Sequence, residues 1–245
     1  MQQSRNEPPR ALTARSLVAS LLLGMRRPEL SGRRLVAAGR AFGFNDGTTR
    51  VALSRMAAAG ELEGDGGSYR LAGALLVRHQ RQEEGRRPQL RPWDGSWRVA
   101  VVGTSGPRRP AERAEMRNAL TAVRLAEMRE GVWVRPDNLA IAPVEGCVWF
   151  EGARLVDDAA ALAGSLWDLA GWAAAAVELL ADMAAPWESL PGAFLTAATV
   201  VRHIRDDPLL PPPLLPPDWP GERLRAAYDD YEAAFQQALR PLLSD

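Results

Sequence analysis

Several features that would narrow the chemistry of this chain are missing. It has one cysteine, Cys147, which rules out an internal disulfide framework and suits a reducing cytoplasm. Its two histidines, His79 and His203, stand far from each other and from Cys147, so no metal-ligand spacing exists. Cys147 itself sits inside an apolar strand pattern, where a structural thiol is expected rather than a nucleophile. No apolar run approaches the length of a membrane span, and the first ten residues are polar without a signal-peptide pattern. No phosphate-cradling glycine motif and no Gly-x-Ser-x-Gly occurs. Lysine is absent; all 30 basic residues are arginine, which we attribute to codon usage rather than chemistry. Catalysis therefore has no positive signal, and no cofactor or metal is expected.

At 245 residues the chain is long for one domain and comfortable for two or three small ones. A hydrophobic content of 47% is ample for ordinary globular cores. The formal net charge is zero, but it is unevenly spread. Residues 1–91 carry 16 arginines against 8 acidic residues, and residues 92–245 carry 14 against 22. A basic first third on an acidic remainder fits a DNA-binding head on a body that does not bind DNA.

The head has a pattern of its own. Residues 14–24 read as a first helix, with Leu17, Val18, Leu21 and Leu22 on one wide apolar face. Residues 31–42 read as a second, capped by Ser31, with Leu35, Ala38 and Phe42 inward and Arg33, Arg34 and Arg40 solvated. A turn over 43–47 leads to a third helix, 48–59, capped by Thr48 or Asp46 and stopped at Gly60. On it Ala52, Leu53, Met56 and Ala57 face inward, which puts Thr49, Arg50 and Ser54 on other faces. Two short strands around a glycine turn at 64–67 complete a winged helix-turn-helix. Such a third helix fits a major groove, where arginine pairs with guanine edges and hydroxyls reach bases or phosphates. The candidate DNA contacts are Arg33, Arg34, Thr48, Thr49, Arg50, Ser54, Arg55 and Arg70. The wing is the weak member, because Glu61, Glu63 and Asp65 would repel phosphate if they faced it.

Residues 74–92 read as a charged linker, helical at most at its start. Beyond it, 97–103 and 131–136 read as strands, 147–152 as another, and 112–130 as a helix with Met116, Ala119, Leu120, Val123 and Ala126 inward. That order suggests a small ferredoxin-like domain over 93–160. The last third, 161–245, is helical. Residues 165–183 are apolar on nearly all sides, as in a central helix, and 191–205 form a further helix. Residues 221–243 carry Leu224, Tyr228, Tyr231, Phe235 and Leu239 on one face. Residues 206–221 are too proline-rich for helix or central strand and must run extended. The fold class is α+β, with the winged helix-turn-helix spanning 12–73.

Six segments carry a family resemblance. They are 14–17 (ARSL), 50–56 (RVALSRM), 60–62 (GEL), 93–97 (WDGSW), 207–211 (DPLLP) and 215–221 (LPPDWPG). In order and spacing they resemble the signatures of the PaaX family of bacterial transcriptional repressors, over nearly the whole chain. The resemblance implies a Cas2-like middle domain and, as effector, an aryl-coenzyme A thioester such as phenylacetyl-CoA. A Cas2-like nuclease would place an acidic metal ligand at the end of its first strand. This chain has Val101-Val102-Gly103-Thr104-Ser105 there, with no carboxylate.

An acyl-CoA effector needs an aromatic slot and cations for its phosphates. Trp167, Trp172 and Trp219, with Trp187, are candidates for the slot, and Arg202, His203 and Arg205 for the phosphates. The plainer reading makes the tryptophans core packing and the cations a solvated face. The expected protein is a cytoplasmic homodimer, free of membrane, that is released from a palindromic operator by its effector. The alternative is the same scaffold repurposed to bind or transform a small molecule in a biosynthetic pathway.

Overall fold

A capping box opens the first helix, α1 (Ala14–Leu23). Thr13 Oγ1 accepts from the Ser16 N–H at 3.1 Å while the Thr13 N–H donates to Ser16 Oγ at 2.9 Å. The computed structural model describes residues 12–25, 27–103 and 109–243. Residues 1–10, expected to lack structure, and Thr104 and Ser105 lie outside these. The chain divides into two units, one of residues 1–83, 182–202 and 226–245, the other of 84–181 and 203–225.

The first unit contains the winged helix. After α1 come β1 (Glu29–Ser31), α2 (Gly32–Ala41), α3 (Asp46–Ala58), β2 (Leu62–Asp65) and β3 (Ser68–Leu71). Ser31 caps α2 as expected, accepting from the Arg34 N–H at 3.3 Å. The cap of α3 is Asn45, not Thr48 or Asp46. Its Oδ1 accepts from the Thr48 N–H at 2.7 Å, so the helix starts two residues earlier than its pattern suggested. Gly60, at φ 68°, ends it in the left-handed conformation. Gly66 and Gly67, at φ 54° and 95°, turn β2 into β3, a geometry that favours glycine. Strand β1 was not anticipated, since three residues are too few to show alternation. It pairs with β3 to give a sheet of order β1-β3-β2. Val18, Leu22, Leu35, Leu53 and Met56 form the core beneath.

The segment expected to be helical at most at its start is helical as far as Arg86, in α4 (Gly73–Arg86). Arg78, Arg81 and Glu84 are exposed, while His79, Gln82 and Arg86 are buried and His79 Nδ1 lies 3.1 Å from the Leu23 carbonyl. Too few apolar residues mark the buried side for periodicity to reveal it.

In the second unit β4 (Ser96–Val102), α5 (Pro110–Ala122), β5 (Ala126–Arg129), β6 (Val132–Pro136) and β7 (Cys147–Arg154) build a four-stranded sheet. All neighbours are antiparallel and the order is β5-β6-β4-β7. This is the ferredoxin-like order, with a loop over 137–146 in place of the second crossover helix. The helix expected over 112–130 stops at Ala122. Arg124 takes φ 64°, and Gly131, at φ 74°, turns β5 back onto β6. Leu120, Leu125, Ala100 and Trp133 pack between α5 and the sheet. Cys147 is half-buried there, its thiol 3.6 Å from Met116 Sδ.

The other face of the sheet is covered by α6 (Ala159–Leu166) and the start of α7 (Leu169–Ala184), through Ala163 and Leu169 against Trp97 and Val134. The single helix expected over 165–183 is therefore broken. Trp167 is extended, Asp168 Oδ1 accepts from the Gly171 N–H at 2.9 Å, and the two helices are bent by 66°. Nor is α7 central: Trp172 and Ala176 are buried, but Val177 is 52% exposed. Its alanine run masked the amphipathic pattern, because alanine counts as apolar yet loses little when exposed. Among the described residues no single helix is long and apolar enough to cross a membrane.

Helices α8 (Leu190–Arg205) and α9 (Gly221–Leu243) follow, joined by extended chain with one 3₁₀ turn at Pro212–Leu214. The stripe Leu224, Tyr228, Tyr231, Phe235 and Leu239 on α9 is buried within the chain. In the first unit Phe194 meets Phe42 edge-on at 5.4 Å, Trp187 meets Tyr231 at 5.2 Å, and the Tyr231 hydroxyl donates to the Ala193 carbonyl at 3.1 Å.

Two of the sequence signatures have local structural causes, both in the second unit. In 93–97 Asp94 Oδ1 accepts from the Ser96 N–H and hydroxyl at 2.9 and 2.5 Å, which holds the Asp94 carboxyl below its ordinary range. Trp93 Nε1 donates to the Ser96 carbonyl at 2.6 Å. In 207–211 the buried Asp207 carboxylate accepts from Arg225 at 2.7 Å and from the Leu209 N–H at 2.8 Å. Arg124 donates to the carbonyls of Arg205 and Asp207. Arg135 is fully buried, and its hydrogen bonds go to neutral oxygens: Asn138 Oδ1 at 3.0 Å and the carbonyls of Pro136, Arg124 and Leu209 at 3.1 to 3.5 Å. Burial, with Arg124 and Arg98 nearby, pushes its pKa down to about 9, so it is still charged at neutral pH. We expect Asp207→Asn to destabilise the protein by about 3–5 kcal/mol, since Arg225 would keep its charge without a counter-ion. Chemical denaturation of the full chain measures it.

Candidate nucleic-acid interface

The outward face of α3 is set by how closely the helix crosses α2. A Cβ on Gly39 would lie 2.3 Å from Thr49 Oγ1, so Gly39 lets the two helices meet at Thr49. Thr49 is consequently 0% exposed, its hydroxyl turned 3.4 Å from the Asn45 carbonyl. That corrects the expectation that Thr49 lies on an outer face: it is packing and cannot touch DNA in this arrangement. Leu53 and Met56 bury beside it. The exposed side of α3 holds Thr48, Arg50, Val51, Ser54 and Arg55. Arg50 is extended into solvent with its guanidinium 3.8 Å from Asp46, one helical turn back.

The other arginines of the head divide by their partners. Arg40 grips Asp46 with two hydrogen bonds of 2.5 and 2.6 Å across the turn between α2 and α3. The pairing lowers the Asp46 pKa and raises that of Arg40. Arg70, directly opposite Glu63 in the wing ladder, donates to its carboxylate at 2.9 and 2.7 Å. Arg15 does the same to Glu61. Arg33 and Arg34 are exposed on α2. Together Arg33, Arg34, Arg40 and Arg50, with Gly67 and Tyr69 of the wing, line an open groove of about 620 Å³. Arg40 had no sequence signal as a groove residue, because its place depends on how α2 meets α3.

The candidate effector residues fall apart differently. Within the second unit Trp172 lies stacked between His203, centroids 4.4 Å apart, and Trp219, 4.5 Å apart. Trp172 Nε1 donates to the His203 carbonyl at 3.2 Å, and His203 Nε2 lies 3.0 Å from the Trp172 carbonyl. The three rings fill one another's faces. Trp167 is apart from the stack, at the edge of a shallow cavity of about 380 Å³ with Gly164, Asp168, Leu214 and Pro216. Arg205 is bound to Asp206 at 2.9 Å, Arg202 is exposed, and Trp187 belongs to the first unit. Among the described residues no group of histidine, cysteine and carboxylate side chains is placed to hold a metal ion.

Desolvation lowers the His203 pKa from its ordinary 6.5, against the opposing pull of the Trp172 carbonyl, Asp206 and Asp207. Its contribution to stability is therefore fully present above pH 6.5 and falls as the pH drops below that value. Replacing His203 by Phe keeps a ring on Trp172 but removes the titration. Between pH 7 and 5 the wild type should lose more thermal stability than His203→Phe; equal losses would separate the stack from acid sensitivity.

Three family models match the chain: the PaaX-like protein over residues 13–75, the PaaX protein central Cas2-like domain over 90–148, and the PaaX-like protein C-terminal domain over 170–244. A search of curated proteins gave no match. Among solved structures, an uncharacterized protein from Mycobacterium tuberculosis, Rv0674, is 43% identical with a TM-score of 0.78, covering 94% of this chain and 98% of its own. From its winged head through its Cas2-like sheet to its last helix, this chain belongs to the PaaX-like protein family.

Proposed function

We propose that the protein is a sequence-specific, DNA-binding transcriptional repressor that acts as a homodimer and is released from its operator by a small-molecule effector. Family membership carries the repressor role in general terms. The observation that supports DNA binding by this chain is the exposed α3 face beside the arginine-lined groove. In this reading α3 enters the major groove, where Arg50, Ser54 and Arg55 meet bases. Thr48, Arg33 and Arg34 hold phosphates on either side. Two heads are needed because one helix spans only a half-site, and half-sites lie about 34 Å apart. Arg70 contributes little while Glu63 holds it.

The effector in this reading carries a flat apolar group, as an aryl-CoA does. Trp167 offers a wall at an existing cavity. The Trp172, His203 and Trp219 stack would have to part to admit a ring, and Arg205 of the same unit would then meet phosphate. Parting these rings breaks the packing of Trp172 on His203, so a ligand that enters there selects a second arrangement of the unit, as an effector must.

A gel-shift of the full-length protein against its own upstream DNA, with and without phenylacetyl-CoA, tests the whole reading. Absence of any sequence-specific complex at low salt would defeat it. Arg50→Ala should weaken operator binding by about 1–3 kcal/mol while leaving binding to unrelated DNA nearly unchanged. A loss equal on all sequences would make Arg50 a phosphate contact instead. Glu63→Gln should free Arg70, raising affinity at low salt and steepening the salt dependence by about 0.9 in log–log slope, one phosphate's worth. An unchanged slope would keep the wing away from DNA.

A further inference from the structure

The outer face of α3 contains one residue that neither the fold nor the arginine groove accounts for. Val51, in the second turn of the helix, is 49% exposed. Scattered apolar side chains on a surface need no explanation by themselves. Val51 differs in three respects. It is a β-branched residue in the interior of an exposed helix face, where its stiff side chain costs helix propensity while half its surface stays in solvent. Its polar neighbours on the same face are Thr48 in the preceding turn and Ser54 and Arg55 in the following one. And the space beside it is open, since a helical side chain leans over the turn preceding its own Cα, which here carries Gly47. A Cβ built on Gly47 would meet only Asn45 Oδ1, at 3.4 Å. The result is a small apolar seat at the N-terminal end of α3, the end that reaches base edges when such a helix lies in a major groove.

We infer that Val51, leaning over Gly47, receives the 5-methyl group of a thymine in the operator and so determines sequence preference beside the base met by Arg50. This rests on the reading of α3 as the recognition helix. The major groove displays only one apolar group, the thymine methyl, and an apolar side chain is the partner that discriminates it. A hydroxyl or charge at position 51 would gain nothing from that methyl, whereas valine removes it from water at no loss of hydrogen bonding. Glycine at 47 lets the helix backbone approach the base edge as closely as such a contact requires. Arg50, one residue earlier, is left to hydrogen-bond.

The test uses the full-length protein and double-stranded fragments that it enriches from a random synthetic pool. Each thymine in an enriched fragment is replaced singly by uracil, which deletes the methyl and nothing else. At one thymine per half-site the wild type should lose about fourfold in affinity, the worth of one buried methyl-sized group. That loss should shrink in Val51→Ala, whose methyl reaches less far towards the base, and persist in full in Arg50→Ala. Alanine is the better helix former, so Val51→Ala keeps the fold; its thermal melt alongside the wild type verifies this. A Gly47→Ala variant, which fills the seat, should erase the preference for thymine over uracil. Enriched fragments in which no thymine shows a Val51-dependent methyl effect would overturn the assignment of Val51 and leave the repressor reading standing. Enrichment of no sequence at all would overturn that reading, and this inference with it.

Discussion

Buried charge around Asp207 ties the proline-rich segment to the start of α9 and to the sheet within the second unit. An ion pair taken out of water stays favourable only if geometry is good and the remaining donors and acceptors are satisfied. Asp207 therefore needs Arg225 near the start of α9, and Arg225 in turn donates to the Gly85 carbonyl at 2.8 Å. Arg135 arrives from the middle of the sheet without a carboxylate to bind, so it collects neutral oxygens, one of them from Leu209. Leu209 accepts a second bond, from Asn138 Nδ2 at 2.9 Å, while it sits at φ 53°. A leucine held in the left-handed region persists only where its surroundings over-determine it. Here they do, from three elements at once. The proline-rich segment is thus tied to the sheet by polar groups, with Leu210 and Leu214 filling the space beneath.

In the head, charge works in the opposite manner, by restraint. The net positive charge of the first third suggests a uniformly basic surface, yet Arg15, Arg40 and Arg70 each face a carboxylate. Exposed pairs of this kind add little stability. In the proposed DNA complex their effect is to lower the sequence-independent attraction for phosphate. The wing is largely neutralised by Glu63, and the arginines of α2 and α3 stand where a groove could be read. In that proposal, a lower general affinity for DNA leaves relatively more of the binding to base contacts.

Aromatic side chains show why candidate ligand residues are hard to pick from a chain. Trp172, His203 and Trp219 do come together, although 47 residues separate the first from the last. A stacked ring is satisfied by another ring as readily as by a ligand, and composition does not distinguish the two. Trp187, from the same composition-based group, packs instead on Tyr231 and Phe235.

The sequence by itself determined the winged helix, the alternation of β4, the amphipathic face of α9 and the family, because each rests on local spacing or on motifs read in order. Periodicity of 3.6 or 2 needs only neighbours a few residues away, and Ser31, Gly60 and the glycine pair at 66–67 act within one turn of chain. Tertiary structure decided the rest. Thr49 has the composition of an outer-face residue and is buried because Gly39, ten positions back, has no side chain. The alanines of 165–184 fit a buried helix or an exposed one equally, and only the sheet face that Trp97 and Val134 offer selects the break at Trp167. Helix α4 hid behind its charges, and β1 behind its brevity. The partner of each arginine was least legible of all, since a guanidinium finds its carboxylate through space, and the chain order of Arg40 and Asp46, or of Arg225 and Asp207, holds no record of that distance.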